Sequence, residues 1–279
     1  MTSLLAVEAL RKEYPAGLGR PPFVAVEGVS FTLERGGSLG IVGESGSGKT
    51  TTARMLMGLE KPTSGRILFN GQDQTQAPKR ARQWRERGKR IQIVFQDPYT
   101  SLDRRQTIGD CIAEVVSVHQ QGASKTGVAA RVAELAGLVG LDERQLRARP
   151  KALSGGQRQR VAIARALAAE PDVLILDEAV SALDVSIQAQ ILNLLADIRE
   201  QTQVGYLFIS HDLAVIRQIT DAVIVMKNGR VVEAGPTGQV LDNPAEDYTR
   251  VLRDSVPRVG WTPTSRRAVA AATAKDVTP

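Results

Sequence analysis

The sequence predicts an α/β fold built on a mainly parallel sheet, and two features carry that prediction. After about residue 150, short apolar runs alternate with helical patterns, an order typical of βαβ units. Earlier, the apolar run SLGIV at 38–42 leads directly into a glycine-rich turn and a helix-compatible stretch at 50–57. The 279 residues are 42% hydrophobic and 24% charged, so a wholly disordered chain is excluded.

The remaining elements follow from local patterns. Val29, Phe31 and Leu33 alternate with polar residues and predict a half-exposed strand. Asn-Gly pairs at 70–71 and 228–229 predict tight turns, the second within a hairpin. Strand signals vanish between about 97 and 150, which predicts a helical subdomain. Further on, the patterns predict a helix at 154–169, a buried strand at 173–176, an amphipathic helix at 185–200 and a strand at 205–209.

Charge, cysteine content and hydropathy limit the function. The stretch 79–90 alone accounts for the net charge of +6, and it is either a solvated helix or loop, or a basic patch that touches acidic lipids, a partner or nucleic acid. The single cysteine, Cys111, excludes an intramolecular disulfide. Apolar runs are far shorter than the roughly 20 residues of a spanning helix. The first ten residues make a poor signal peptide, so we expect a cytoplasmic chain.

A phosphate-binding loop is the most specific motif. The sequence GESGSGKT fits GxxxxGK[ST], with a predicted strand before it and a helix after it. Glycines let successive N–H groups point at a polyphosphate, and the helix N-terminus adds positive potential. A Gly/Ser-rich turn that binds nothing is the alternative. The candidate residues are Gly43, Glu44, Ser45, Gly46, Ser47, Gly48, Lys49, Thr50 and Thr51, in which Lys49 would reach the phosphates and Thr50 would ligate Mg²⁺.

Two consecutive acids supply the second half of this site. Asp177 and Glu178 follow the predicted strand at 173–176. The carboxyl edge of a parallel sheet is where α/β folds bind ligands, so Asp177 is placed to hold the cation. Glu178 would polarise a water on the γ-phosphate side. Without the glycine loop, two acids starting a surface loop would be the better interpretation.

The sequence LSGGQ at 153–157 is the motif that points to one protein family. Ser154, Gly155, Gly156 and Gln157 resemble the signature of ATP-binding-cassette (ABC) ATPases. The resemblance implies a P-loop NTPase core with a mainly parallel sheet, an N-terminal antiparallel β subdomain and an inserted α-helical subdomain. It also implies ATP hydrolysis with Mg²⁺ in a head-to-tail pair of cassettes, where each signature closes over the nucleotide held by the other.

Other family elements occur in order along the chain. The resemblance implies that Gln96 is the glutamine-loop residue, near the metal and the helical subdomain. Asp184 matches the loop that communicates across the dimer, and His211 matches the switch histidine that holds the γ-phosphate and the attacking water. Tyr14 matches the aromatic residue that stacks on adenine, although a surface tyrosine beside Pro15 is the alternative. The other histidine, His119, is expected at the surface.

The resemblance covers about residues 4–256 and implies one cassette domain at 1–258, with a C-terminal extension at about 236–258 and a disordered tail at 259–279. Within the family, the motifs are similar to ATPases of dipeptide, oligopeptide and nickel importers. The implied partners are a second cassette ATPase, transmembrane permease subunits and, indirectly, an extracytoplasmic solute-binding protein, with the chain peripheral at the cytoplasmic face of the membrane. No nucleic acid is expected, although a soluble cassette ATPase acting on nucleic acid or ribosomes is the alternative.

The sequence departs from the family pattern at two places. Ala179 and Val180 replace the usual Pro-Thr after Glu178, which relaxes a turn and leaves the acid in place. Many relatives have a cysteine cluster in the C-terminal extension for an iron–sulfur cofactor. Here no cysteine follows Cys111, so no cluster is expected.

Overall fold

The chain forms two sheets joined by helices. The computed structural model describes residues 3–15, 17, 21–97, 102–120, 122 and 124–255, and the tail predicted at 259–279 lies outside this part of the chain. The first sheet is antiparallel, with the order β2-β1-β4-β5. Its strands are β1 (Leu5–Tyr14), β2 (Phe23–Leu33), β4 (Ser64–Phe69) and β5 (Gln72–Asp73).

The second sheet is mainly parallel and positions the site. Its order is β10-β9-β3-β8-β7-β6, and only the β9–β10 hairpin is antiparallel among the described pairs. Its strands are β3 (Ser38–Val42), β6 (Ile91–Val94), β7 (Val173–Asp177), β8 (Gly205–Ile209), β9 (Ala222–Lys227) and β10 (Arg230–Pro236). The predicted fold class is therefore confirmed.

Helices cover the parallel sheet and fill the stretch between its strands. The described part of residues 97–150 holds α3, α4, α5 and no strand, in line with the loss of strand signals there. The helices are α1 (Lys49–Met57), α2 (Ala81–Arg90), α3 (Ile108–His119), α4 (Lys125–Leu138), α5 (Glu143–Arg147), α6 (Gly155–Leu167), α7 (Val185–Thr202), α8 (Leu213–Ile219), α9 (Thr237–Asp242) and α10 (Asp247–Asp254).

Two apolar cores explain why β7 is apolar at successive positions. Leu174 and Leu176 face a core formed with α3, α4, α6 and α7. Val173 and Ile175 face a second core, formed with the antiparallel sheet and α1. Because side chains of a strand alternate between its two faces, a strand covered on both faces has to be apolar throughout.

The basic stretch 79–90 is mostly the exposed helix α2, with one exception. Arg87 is only 3% exposed, lies over the ring of Phe69, and donates hydrogen bonds to the carbonyl oxygens of Leu56 and Gln74. Burial lowers the pKa of Arg87 to about 10. One of the seven basic residues is therefore a structural connection between α2 and the end of α1.

His119 is less exposed than expected. His119 ends α3 and is partly buried, with its imidazole ring near Gly88 of α2. Burial, together with the charges of Lys89 and Arg85, lowers the pKa of His119. Through the described residues, no helix is long and apolar enough to cross a membrane.

Candidate active site

The glycine-rich loop connects β3 to α1 and depends on glycine at its end. Gly48 caps α1 with φ +102°, a backbone conformation that side chains disfavour. A Cβ atom there would lie 2.6 Å from the carbonyl oxygen of Ala25 on β2. The carbonyl of Gly48 accepts hydrogen bonds from the N–H of Thr52 at 2.9 Å and from its hydroxyl at 3.0 Å. The loop therefore enters the helix in one defined geometry.

Lys49 is a buried cation held by its own loop. Its ammonium donates to the carbonyl oxygens of Gly43 at 2.7 Å and Glu44 at 2.8 Å, and it is only 8% exposed. Burial lowers the pKa of Lys49, although the charges of Glu178 and Asp177 act in the opposite direction. An anion that replaced these carbonyl oxygens would remove the cost of the buried charge, so the loop is suited to a phosphate.

A cleft of about 340 Å³ joins this loop to β1, to β2 and to the residues that follow β7 and β8. It brings together residues that are up to nearly 200 positions apart in the sequence. The lining residues are Tyr14, Phe23, Ala25, Ser45, Gly46, Gly48, Lys49, Thr50, Thr51, Glu178 and His211.

The two acids lie at the carboxyl end of β7. Asp177 is 8% exposed, and its pKa is raised by burial and, second, by the charge of Glu178. Glu178 leaves the strand with φ +52°, and its N–H donates to the carbonyl of Ile209 at 2.8 Å. The hydroxyl of Ser181 donates to the carbonyl of Glu178 at 2.9 Å. Glu178 therefore reaches the cleft, and Asp177 lies behind it near Lys49.

His211, which follows β8, makes direct contact with Glu178, which follows the neighbouring strand β7. Its Nδ1 lies 2.9 Å from Oε1 and 2.8 Å from Oε2 of the carboxylate. The following residue fixes this position, because Asp212 caps α8 by accepting from the N–H of Ala214 at 2.8 Å. A carboxylate paired with an imidazole is an arrangement that can position a water and move a proton.

An aromatic pair forms the outer wall of the cleft. Tyr14 and Phe23 are cross-strand partners in the β1–β2 register, and both line the cleft. The ammonium of Lys12 lies 4.8 Å from the ring centroid of Tyr14. Phe23 is 62% exposed, which is unusual for a phenylalanine and fits a flat ligand. Sequence reasoning found Tyr14 and missed Phe23.

The signature residues lie at a second helix start. Ser154 caps α6 by accepting from the N–H of Gln157 at 3.3 Å, while the side chain of Gln157 accepts from the N–H of Ser154 at 2.9 Å. Asp184 caps α7 by accepting from the N–H of Ile187 at 3.0 Å. A Cβ atom on Gly156 would lie 2.5 Å from Ile187, so α6 and α7 start side by side.

Several predicted site residues are not in the cleft. Its lining, within the described part of the chain, does not include Ser154, Gly155, Gly156, Gln157 or Asp184. Gln96 is exposed just past the end of β6 and also lies outside the lining. The structure therefore brings together the glycine loop, Glu178, His211 and Tyr14, and leaves the 154–157 helix start on another surface of the same chain.

Comparisons with known proteins identify the class. The family described as ABC transporter matches residues 26–181, more than half of the chain. A protein of Brucella abortus (strain 2308), named as a candidate peptide import ATP-binding protein, is 49% identical over 240 residues, which are 86% of this chain and 71% of the relative. The glutathione import ATP-binding protein GsiA of Escherichia coli (strain K12) is 52% identical over 234 residues, 84% of this chain and 37% of GsiA.

Solved structures agree with these matches. The ATP-binding cassette MJ0796, in a dimeric post-hydrolysis state with ADP and Pi, superposes with a TM-score of 0.73 at 28% identity over 84% of this chain and 98% of the other. CbiO1 of Clostridium perfringens, part of the ABC transporter complex cbiONQ, gives a TM-score of 0.77 at 29% identity, over 93% of this chain and 98% of CbiO1. The chain belongs to the ABC transporter family, as an ATP-binding and ATP-hydrolysing cassette.

Proposed function

We propose that the chain is the ATPase subunit of an importer. The imported solute is a peptide or a related small solute, and glutathione and nickel are the candidates besides peptides. The observation that carries the ATPase half is the cleft in which the buried Lys49 faces the Glu178–His211 pair. The names of the Brucella abortus and Escherichia coli relatives support the import half. They favour import over a soluble cassette that acts on nucleic acid or ribosomes.

The contacts support the following roles in hydrolysis. Lys49 and the N–H groups of the loop bind the β- and γ-phosphates. Glu178 orients the attacking water and accepts its proton, and His211 holds the carboxylate and the γ-phosphate side. Tyr14 stacks on adenine. Because phosphoryl transfer depends mainly on positioning and on charge stabilisation, these groups are sufficient for the reaction.

The oxygen groups beside the loop fit Mg²⁺. Thr50, which carries a hydroxyl, lines the cleft. Asp177 is a buried carboxylate with a raised pKa, and a nearby cation would stabilise its charged form. Gln96 follows β6, which pairs with β7 so that Val94 lies beside Leu176, and this register supports a position of Gln96 at the same sheet edge. Oxygen ligands of this kind are the ones that Mg²⁺ prefers. When bound, the ion would neutralise charge on the phosphates.

The surface at 154–157 indicates a second cassette. Gly155 and Gly156 form the first turn of α6, whose N–H groups have no partner within the helix. Such a helix start is an anion-binding arrangement, and the cleft of the same chain has no use for it. We infer that this surface, with Gln157 and Asp184, closes over nucleotide held by a partner cassette. Permease subunits would receive the movement through the helices at 97–150, with the chain peripheral at the cytoplasmic face of the membrane and a solute-binding protein on the other side. The domain bounds of 1–258, with an extension from about 236, are part of this proposal.

A glutamine variant tests the assignment of Glu178. Glu178→Gln keeps a hydrogen-bond partner for Nδ1 of His211 and removes the base, so ATP turnover should fall about 10²- to 10⁴-fold while MgATP still binds. ATPase rates, nucleotide binding and dimer formation would be measured on the wild type and the variant. Glu8→Gln, a surface carboxylate paired with Arg66, is the matched control and should keep wild-type turnover.

Two outcomes separate the parts of the proposal. Normal hydrolysis by the Glu178→Gln variant would reject Glu178 as the base. Import is tested with the chain assembled with its membrane subunits in vesicles and supplied with ATP, by following uptake of peptides, glutathione and Ni²⁺. Hydrolysis that none of these solutes stimulates would reject the importer assignment and leave the ATPase assignment intact.

A further inference from the structure

A tyrosine of the last described helix contacts the glycine loop. The hydroxyl oxygen of Tyr248, on α10, accepts a hydrogen bond from the backbone N–H of Glu44 at 3.2 Å. The two residues are 204 positions apart in the sequence. The ammonium of Lys227, at the end of β9, lies 4.9 Å from the ring centroid of Tyr248. The ring is partly buried, and burial raises the pKa of its hydroxyl, so Tyr248 stays neutral.

The start of α10 is anchored to the parallel sheet. The carboxylate of Glu233, on β10, accepts from the N–H of Ala245 at 2.8 Å and from the N–H of Glu246 at 3.3 Å. Arg250 folds back on the same turn and donates to the carbonyl oxygen of Ala245 at 2.6 Å. Tyr248 is therefore held by a strand of the sheet, and its contact with Glu44 connects the loop to that strand.

The peptide groups of Glu44 have two different partners. Lys49 donates to the Glu44 carbonyl at 2.8 Å, and Tyr248 accepts from the Glu44 N–H. Phosphates in the cleft would compete with the Glu44 carbonyl for the Lys49 ammonium. The Tyr248 contact lies outside the cleft, because neither Glu44 nor Tyr248 belongs to the cleft lining.

We propose that Tyr248 is a positioning residue for nucleotide binding, which holds the first turn of the glycine loop and couples α10 to occupancy of the cleft. This inference rests on the nucleotide site described above. A contact that favours the binding-competent loop raises nucleotide affinity, and by linkage nucleotide stabilises the docked α10 to the same extent. A single hydrogen bond of this kind corresponds to about a 2- to 10-fold change in an equilibrium constant.

The test compares two tyrosine-to-phenylalanine variants. Tyr248→Phe removes the acceptor for the Glu44 N–H. Tyr206→Phe, the matched control, removes a hydroxyl that donates to the carbonyl of Leu195 at 2.8 Å in the core, away from the cleft. For each variant and the wild type, the thermal midpoint, the Kd for MgATP, and kcat and KM would be measured, together with hydrogen exchange of the α10 amides with and without MgATP.

The expected results differ in kind between the variants. Tyr248→Phe should raise Kd and KM about 2- to 10-fold with kcat close to wild type, because a contact made equally in the ground and transition states affects KM alone. MgATP should slow exchange of the α10 amides in the wild type and slow it less in Tyr248→Phe. Tyr206→Phe should lower the thermal midpoint and leave Kd unchanged.

Three results would overturn the inference. These are a wild-type Kd in Tyr248→Phe, an equal loss of affinity in Tyr206→Phe, and α10 exchange that does not respond to MgATP in the wild type. Each of them leaves the proposed function standing. If the wild-type protein failed to bind MgATP at all, the proposed function itself would fail, and the two failures are therefore distinguishable.

Discussion

Two glycines of the same loop should respond differently to alanine, and the structure gives the size of the difference. Gly48 and Gly46 both have positive φ, +102° and +83°. A Cβ on Gly48 would lie 2.6 Å from the carbonyl oxygen of Ala25, whereas a Cβ on Gly46 meets nothing within 4 Å. Both substitutions therefore strain the backbone, and only the one at Gly48 also forces β2 and the loop apart.

The magnitudes separate into two parts. Backbone strain of this kind costs about 1–3 kcal/mol at either position. Overpacking against a backbone atom adds about 1–3 kcal/mol at Gly48 alone. Thermal unfolding of the nucleotide-free proteins measures the difference, and at about 2–4 °C per kcal/mol Gly48→Ala should melt at least about 2 °C below Gly46→Ala.

Gly46→Ala should affect nucleotide binding more than it affects stability. The open space at Gly46 faces the cleft, so a methyl group there occupies room for the phosphates and should weaken MgATP binding with little further loss of stability. Equal melting points for the two variants would refute the close approach of Gly48 to Ala25. Wild-type affinity in Gly46→Ala would show that the phosphates do not bind against this turn.

Two further predictions concern the acid behind the cleft and the aromatic wall. Asp177→Asn should stabilise the nucleotide-free protein, and the gain should grow as the pH rises. Because the folded-state pKa of Asp177 is raised, the folded chain keeps a proton that the unfolded chain has lost between the unfolded-state and folded-state pKa values. Wild-type stability therefore falls as the pH rises through that interval. Melts of both proteins across the acidic range check this, and a constant difference would contradict it. Phe23→Ala should weaken ATP binding about 2- to 10-fold, because it removes an aromatic contact of about 0.5–1.5 kcal/mol. The affinity for inorganic tripolyphosphate, measured by competition, should stay at the wild-type value. An equal loss for tripolyphosphate would mean that Phe23 supports the loop and does not contact the base.

The parts of the site that the sequence predicts are the parts set by local chemistry. The glycine loop precedes α1 as expected, because a strand, a turn that needs positive φ and a helix start are all local. The placement of Asp177 follows from an apolar strand that has to be buried on both faces. The motif at 153–157 likewise predicts the capped start of α6, since Ser154 and Gln157 satisfy each other's N–H groups.

Contacts between distant segments were not predictable from these patterns. Phe23 lines the cleft because it pairs with Tyr14, in a register that shifts at several points along β1 and β2. The alternation of side chains within one strand does not predict where its register with the neighbouring strand shifts. The contact of Tyr248 with the glycine loop depends on how α10 packs against β10, which the local sequence around Tyr248 does not predict. The partial burial of His119 likewise depends on a contact between distant segments, the packing of α2 near the end of α3.

Glu178 shows how a local rule fails at a functional position. In a regular strand, consecutive side chains point to opposite faces, so Asp177 and Glu178 should diverge. The left-handed backbone at Glu178 redirects its side chain into the cleft, and no glycine or asparagine at that position announces it. Such a conformation costs about 1–3 kcal/mol and persists only where neighbours fix it. Here the carbonyl of Ile209 and the hydroxyl of Ser181 do so, and they place the strained residue where it meets His211. The strain lies at the residue assigned as the base, and this coincidence supports that assignment independently of the sequence motif.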